Sequence, residues 1–385
     1  MKKLALLLGA LTITATAFAG GKEIVPQGKE VEPVREIVKE VVVYRDRPVT
    51  RSAYPNGYVE MFYKWWGEST KDEHDGKAYD RRSNSNRGRL QLVTSINMTE
   101  KDNFYIRVRD NQAIGSYDTS TNKEALSGEG AQVRLRYSHN HDFLDGVATS
   151  RLHYQHETSG SNAEYTELAT GNNNLEYQIR FNFARYGFDN DFVKTTNLTL
   201  APKVGYSWDG RSNNDGDRSA YYGGIDLYTM HTLPWNFSFE FNLYTTYAKA
   251  NMDVYKNANK ALKDTAFQAQ MEAYLYNETK LVDLGDSAKL SFYFEGGFDP
   301  YRYSNKRLYD QAAILGGSKT SSKKGDKTDY TLYALPALKL DYQINDNINT
   351  FLAAGATYQN VHTAGSEAQG FEWQPTAWAG FRKSF

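Results

Sequence analysis

The stretch from Gly88 to Tyr137 contains three segments in which polar and apolar residues alternate: GRLQLVTSINM at 88–98, DNFYIRVRDNQ at 102–112 and AQVRLRY at 131–137. A period of two predicts β-strands whose two faces differ. One face is apolar, while the opposite face carries a row of arginines that need water. A barrel that is apolar outside and wet inside accommodates both faces. The pattern therefore indicates an all-β fold, a transmembrane antiparallel β-barrel.

The composition of the whole chain narrows its class. It has 385 residues and a net charge of −1, so charge favours neither a nucleic-acid partner nor an anionic surface. Cysteine is absent, which excludes disulfides and thiolate metal sites and suits a protein of the cell envelope. This length is unusual for one soluble domain, but a barrel grows by adding hairpins.

The N-terminus has the organisation of an export signal. Two lysines precede an apolar stretch that ends in Ala17-Phe18-Ala19. This predicts a signal peptide over residues 1–19, and the alternative is an uncleaved anchor helix, for which the apolar run is short. The mature chain is therefore expected to be exported to the cell outer membrane.

Residues 20–54 differ from the remainder and are predicted to form a periplasmic segment. Lysine and glutamate are mixed there with valine and proline. Four apolar positions have the 3-4-3 spacing of a short trimeric coiled coil: Val34, Ile37, Val41 and Tyr44. The alternative is an extended linker, because two heptads are fewer than a dependable coiled coil needs.

Residues 55–385 are predicted to form the barrel, with about fourteen strands and sixteen as the alternative. Short and long connections alternate, as periplasmic turns and extracellular loops do in outer-membrane barrels. The tenth and eleventh strands are predicted at Asp264–Tyr276 and Ala288–Phe298. Aromatic residues near strand ends predict girdles at the two membrane boundaries: Trp65, Trp66, Tyr137, Trp208, Trp235, Tyr276, Tyr301, Tyr330, Tyr358 and Trp373.

Several stretches resemble the FomA-type major outer-membrane porins of fusobacteria. They are VVYRDR at 42–47, PNG at 55–57, YKWWGE at 63–68, GRLQ at 88–91, TEK at 99–101 and WQPTA at 373–377. The resemblance covers the signal, the periplasmic segment and most strands, whereas the long loops differ. It implies a trimeric, water-filled diffusion porin whose loops are available for adhesion, and it brings no catalytic motif.

Charged residues on the predicted inner face are the candidate selectivity site. Fourteen strands lie between small filled barrels and the wide porins, so an open lumen is expected. The basic residues are Arg107, Arg109, Arg134, Arg136, Arg151 and Arg180, and the acidic residues are Asp226, Glu240, Glu272 and Glu295. The two groups are predicted to face each other across the pore. The alternative is that the arginines pair with neighbouring acids on the wall.

The loop Glu157–Asn173 is predicted to fold inward and constrict the pore. Its candidate residues are Glu157, Glu164 and Glu167, with no lysine or arginine between them. A surface loop exposed to solvent is the alternative.

The expected function is passive diffusion of small hydrophilic solutes and ions, with a surface adhesin on a barrel scaffold as the alternative. No enzymatic activity is expected, because no Gly-x-Ser-x-Gly motif occurs. His139 and His141 share one strand face without a visible third ligand, so no metal or cofactor is expected. The expected partners are other copies of the chain in a homotrimer, outer-membrane lipid and lipopolysaccharide, and surface ligands bound through the loops.

Overall fold

The computed structural model describes residues 54–67, 73–74, 77–78, 87–113, 130–142, 147–159, 170–209, 219–251, 253, 255–256, 261–305, 307–308, 331–360 and 371–385. Fourteen antiparallel strands close into one barrel. They are β1 (Asn56–Trp66), β2 (Arg87–Asn97), β3 (Asp102–Ala113), β4 (Gly130–Asn140), β5 (Ala148–Ser159), β6 (Thr170–Asn182), β7 (Lys194–Asp209), β8 (Ser219–Thr232), β9 (Phe237–Ala250), β10 (Thr265–Asp283), β11 (Ala288–Ser304), β12 (Thr331–Asn345), β13 (Ile348–Asn360) and β14 (Phe371–Ser384).

Each strand pairs with its neighbour in sequence, and the last strand pairs with the first. β14 meets β1 in an unbroken register from Tyr58↔Ser384 to Trp66↔Thr376. Closure leaves no barrel strand with an unpaired edge, which is how barrels avoid aggregation through their edges. The predicted fold class and strand number are confirmed.

Two strands are longer than the alternation predicted. β10 continues past Tyr276 to Asp283, and β11 continues past Phe298 to Ser304. Register shifts interrupt this hairpin twice, between Met271 and Ala273 and between Lys280 and Val282. In β11 the first shift falls directly after Phe298, where the predicted strand ended. In β10 the polar residues Asn277 to Lys280 continue the pairing without a shift, but in the sequence they resembled a turn.

The two faces of the barrel have the reverse of a soluble protein's polarity. Leu135, Leu152 and Leu175 point outward with 41%, 46% and 42% of their surface exposed, whereas inward Gln91 and Asp226 are 0% and 2% exposed. Apolar residues outside and polar residues inside are the arrangement of a transmembrane β-barrel. Within the described residues, no helix has the length and apolar character to cross a membrane.

Two predicted girdle residues point inward instead of toward lipid. Trp66 is fully buried, and the Tyr276 hydroxyl donates to Glu240 Oε2 at 2.7 Å inside the barrel. Their strand parity decides this, because neighbouring Trp65 alternates with Trp66 to the opposite face. Tyr330 lies outside the described residues.

Both ends of the barrel segment lie at the end that carries the short turns. Gly57 and Phe385 exchange backbone hydrogen bonds of 3.0 and 3.1 Å there. Lys101 and Asp142 join two neighbouring turns, and a hydrogen bond from Lys101 lowers the pKa of the Asp142 carboxyl. The connection at 183–193 is longer than the other turns and contains the 3-10 helix Ala184–Tyr186.

Long connections leave the opposite end of the barrel. Two of them meet in a small sheet formed by Tyr255–Lys256, Leu262–Lys263 and Arg307–Leu308. The proposed constriction loop is shorter than predicted, since Glu157 belongs to β5 and pairs with Asn172 of β6. Glu164, Glu167, the predicted signal peptide and residues 20–53 lie outside the described residues.

Candidate functional site in the barrel interior

All six predicted arginines lie on the inner face of four consecutive strands, β3 to β6. Arg107 stands directly opposite Arg134, and Arg136 stands opposite His153. Since like charges in direct cross-strand positions repel each other, this row needs either solvent or counter-charges. Arg107 and Arg180 are the most buried of the row, at 4% and 8% exposure.

Neutral oxygens, not carboxylates, hold these guanidinium groups. Arg134 Nε and Nη2 donate to Gln155 Oε1 at 3.0 and 2.8 Å. The other contacts are Arg107 to Gln132 at 2.5 Å, Arg180 to Gln178 at 3.0 Å, and Arg109 to Gln91. Among the described residues, no carboxylate lies within ion-pair distance of Arg107, Arg134, Arg136, Arg151 or Arg180. Amides fix the directions of Arg107, Arg134 and Arg180, and no carboxylate among the described residues pairs with these three.

The predicted acidic residues lie on the inner face of β8 to β11, and tyrosines hold them. Three carboxylates accept from tyrosine hydroxyls: Glu240 from Tyr276 at 2.7 Å, Glu272 from Tyr244 at 3.2 Å and Glu295 from Tyr333 at 2.6 Å. A phenol can donate without neutralising the acid. The inner wall therefore carries a basic arc, β3 to β6, and an acidic arc, β8 to β11.

Asp226 differs from the other acids because it forms a buried ion pair. Lys203 Nζ of β7 lies 2.8 Å from Asp226 Oδ1, and the two side chains are 7% and 2% exposed. Sequence reasoning missed Lys203. The alternation of β7 places it on the inner face, but only the register of β7 against β8 shows that it reaches Asp226.

Tyr222 was also missed, and it extends across the inner face of β7. Its hydroxyl donates to Asn174 Oδ1 at 2.7 Å and lies 3.0 Å from Glu176 Oε2, both on β6. The ring passes over Gly205 of β7, where an added Cβ would lie 2.2 Å from the ring. Tyr222 can cross β7 at this point because Gly205 has no side chain.

Basic residues also surround Trp66 beside β1 and β2. Lys64, Arg87 and Arg89 lie 5.4, 4.7 and 4.9 Å from its ring centroid. Cations at these distances interact favourably with an indole face. The basic side of the wall thus extends two strands further than the sequence prediction.

Charges near the short-turn end neutralise one another. Lys339 lies 3.0 Å from Glu278 and 3.4 Å from Asp341, and Lys289 lies 3.7 Å from each of these acids. This network contrasts with the basic arc, where Arg107, Arg134 and Arg136 have no such carboxylate partner among the described residues. The uncompensated positive charge of the basic arc is therefore concentrated farther from the short-turn end of the barrel.

His139 of β4 and His141, which follows the strand, make hydrogen bonds at the rim. His139 Nδ1 lies 2.8 Å from Asp102 Oδ1, and His141 Nε2 lies 2.6 Å from Ser150 Oγ. Over the described part of the chain, no group of three or more His, Cys, Asp or Glu residues could hold a metal ion.

Comparison with known proteins gives likeness of architecture only. No family model and no curated relative matches the chain. Among solved structures, a bacterial polysaccharide outer-membrane secretin is 8% identical with a TM-score of 0.37, covering 86% of this chain and 98% of that one. An outer-membrane channel from Pseudomonas putida F1 is 10% identical with a TM-score of 0.30, covering 89% and 100%. Salmonella typhi OmpF, solved with daunomycin, is 11% identical with a TM-score of 0.26, covering 85% and 97%.

Proposed function

We propose that the chain is a general-diffusion porin of the outer membrane that passes small hydrophilic solutes and ions through a water-filled lumen. The observation that carries this proposal is that five inward arginines have no carboxylate within ion-pair distance among the described residues: Arg107, Arg134, Arg136, Arg151 and Arg180. Each such charge would cost several kcal/mol in a dry interior. Water along the basic arc removes that cost, and a hydrated polar lumen conducts small solutes.

Other features support the location and the porin class. The outward leucines suit lipid contact, and the predicted signal peptide suits export. The resemblance to FomA-type porins agrees with an outer-membrane location and a porin function, and it also implies a homotrimer. The porin function involves no catalytic step.

Trimer formation is tested by truncation. If the seam at Val34, Ile37, Val41 and Tyr44 assists assembly, a chain lacking residues 20–53 will dissociate at a lower temperature on a mild detergent gel. The control is the full-length chain heated in the same way. Equal dissociation temperatures would show that barrel contacts alone hold the oligomer.

A surface adhesin is the second candidate, and one observation favours it: apart from the connection at 183–193, the longer connections leave the same end of the barrel. An adhesin would use the barrel as a scaffold for these loops and would not require conduction.

Recording in planar lipid bilayers separates the two functions. Purified, folded protein in KCl should produce steady, ohmic current steps, because water fills the lumen. Detergent carried through the same purification without protein is the control. A correctly folded barrel that inserts and yet gives no steady steps would reject the porin function and leave the scaffold function.

A further inference from the structure

A cavity of about 300 Å³ lies inside the barrel between the two arcs. Arg136 and Arg151 line one side of it, and Tyr244 and Glu272 line the other. This volume is at the lower end of the range for sites that bind small molecules. The cavity therefore has arginines on one side and a glutamate on the other, within a volume that suits one small solute.

The basic side of the cavity can accept an anion. Arg136 Nε is buried and has no hydrogen-bond partner among the described residues, and its guanidinium lies over the Tyr105 ring at 5.6 Å. Arg151 makes one long contact, from Nε to Ser138 Oγ at 3.4 Å. Guanidinium groups bind carboxylates by strong, charge-assisted hydrogen bonds. A ligand carboxylate would supply what the wall does not.

The acidic side of the cavity is formed by Glu272, which Tyr244 and Gln270 help to position. Glu272 is 6% exposed and accepts from Tyr244 at 3.2 Å and from Gln270 at 2.7 Å. An ionised carboxylate has about four acceptor positions, so it can receive an ammonium group in addition. The contacts with Tyr244 and Gln270 fix its position before a ligand arrives.

The remaining charged groups in the lining are engaged with one another. Lys203 pairs with Asp226 at 2.8 Å, and His153 Nδ1 lies 3.8 Å from Glu176. The Lys203–Asp226 pair adds no net charge between the two ends, whereas a neutral His153 does not balance Glu176, so Glu176 adds one carboxylate on the β6 side of the cavity. The amide side chains Gln155, Asn174 and Gln268 complete the lining and suit a peptide group.

We propose that this cavity binds zwitterionic solutes, namely amino acids and short peptides, with the carboxylate at Arg136 and Arg151 and the ammonium at Glu272. The proposal rests on the proposed porin function and names its solute class. A simple anion would bind only at the two arginines, and a simple amine would bind only at Glu272. A neutral sugar would bind at neither. Binding is expected to be weak, because a conducted solute must also leave.

The test measures how L-alanyl-L-alanine reduces the single-channel KCl current. We expect dose-dependent reduction by the dipeptide, and at least tenfold higher half-blocking concentrations for acetate and methylammonium at equal ionic strength. Arg151→Gln and Glu272→Gln should each raise the half-blocking concentration of the dipeptide about tenfold. The matched control is Arg382→Gln, which removes an inward arginine that lies over Tyr58 and outside the cavity.

Saturation-transfer difference NMR on detergent-solubilised protein provides a readout that does not need conduction. Dipeptide signals that Arg151→Gln and Glu272→Gln reduce, and Arg382→Gln preserves, would support the site even if no current steps were seen. Current steps with equal effects of dipeptide and acetate would overturn the site and leave the porin function standing. Loss of dipeptide binding in Arg382→Gln, but not in Arg151→Gln or Glu272→Gln, would also overturn the proposed site.

Discussion

At the scale of single residues, small side chains and neutral donors organise the barrel interior. Gly205 allows the Tyr222 ring to cross β7, and tyrosine hydroxyls position the acids. Sequence patterns predicted which residues point inward because parity is a local property. They could not predict which inward residues touch, because such contacts depend on the register between strands.

Replacement of Gly205 by alanine should displace Tyr222. The added Cβ would lie 2.2 Å from the ring, so the hydroxyl should lose its bonds to Asn174 and Glu176. Overpacking of this kind costs about 1–3 kcal/mol in unfolding free energy, measurable by urea titration in lipid vesicles. Gly223→Ala on the neighbouring strand is the control, since its nearest contact would be an ordinary 3.4 Å. Equal stability of the two variants would contradict the crossing.

Removal of Lys203 should expose the cost of the buried carboxylate. Lys203→Met leaves Asp226, 2% exposed, without the cation 2.8 Å away. Breaking such a pair typically costs about 3–5 kcal/mol, while replacing both partners costs much less. Urea unfolding of Lys203→Met, Asp226→Leu and the double variant measures this as a double-mutant cycle. Additive losses would show that the pair is not coupled.

At the scale of strands and loops, the alternating segments were predicted well and the irregular ones poorly. β2, β3 and β4 fall within three residues of their predicted bounds, because each keeps a period of two. β11 was predicted too short because a bulge follows Phe298, and β10 because its polar residues Asn277 to Lys280, which pair in regular register, resembled a turn. The constriction loop was predicted to begin at Glu157, but this residue continues β5, where Gln132 and Gln155 donate to it at 3.4 and 3.3 Å.

The connection 160–169 joins the two strands that carry Arg151 and Arg180. It lies outside the described residues, so its inward folding remains a prediction. The chain has no cysteine, and a single one at Ala163 can be labelled specifically. If attraction between Glu164, Glu167 and the basic arc draws the loop inward, a large impermeant maleimide should react slowly. Ser212→Cys on another long connection is the control for a surface loop. Comparable rapid labelling at both positions would place this loop at the surface.

At the scale of the whole molecule, the barrel separates charge by sign around its inner wall. The basic arc occupies β3 to β6 and the acidic arc β8 to β11, with the Lys203–Asp226 pair between their centres. Opposed charged walls in a narrow lumen create a transverse field that acts on passing ions. The sequence predicted both arcs from parity. It could not predict that amides and tyrosines, rather than counter-ions, hold most of these charges.

The zero-current potential under a KCl gradient tests most directly whether these arcs line the conducting path. Replacing Arg107, Arg109, Arg134 and Arg136 together by glutamine should shift this potential toward cation preference at low salt. Glu240→Gln with Glu272→Gln should shift it toward anion preference. Both shifts should fade near 1 M salt, where the Debye length is about 3 Å. An unchanged potential for the four-arginine variant at low salt would contradict the account, because those charges would then lie outside the path of the ions.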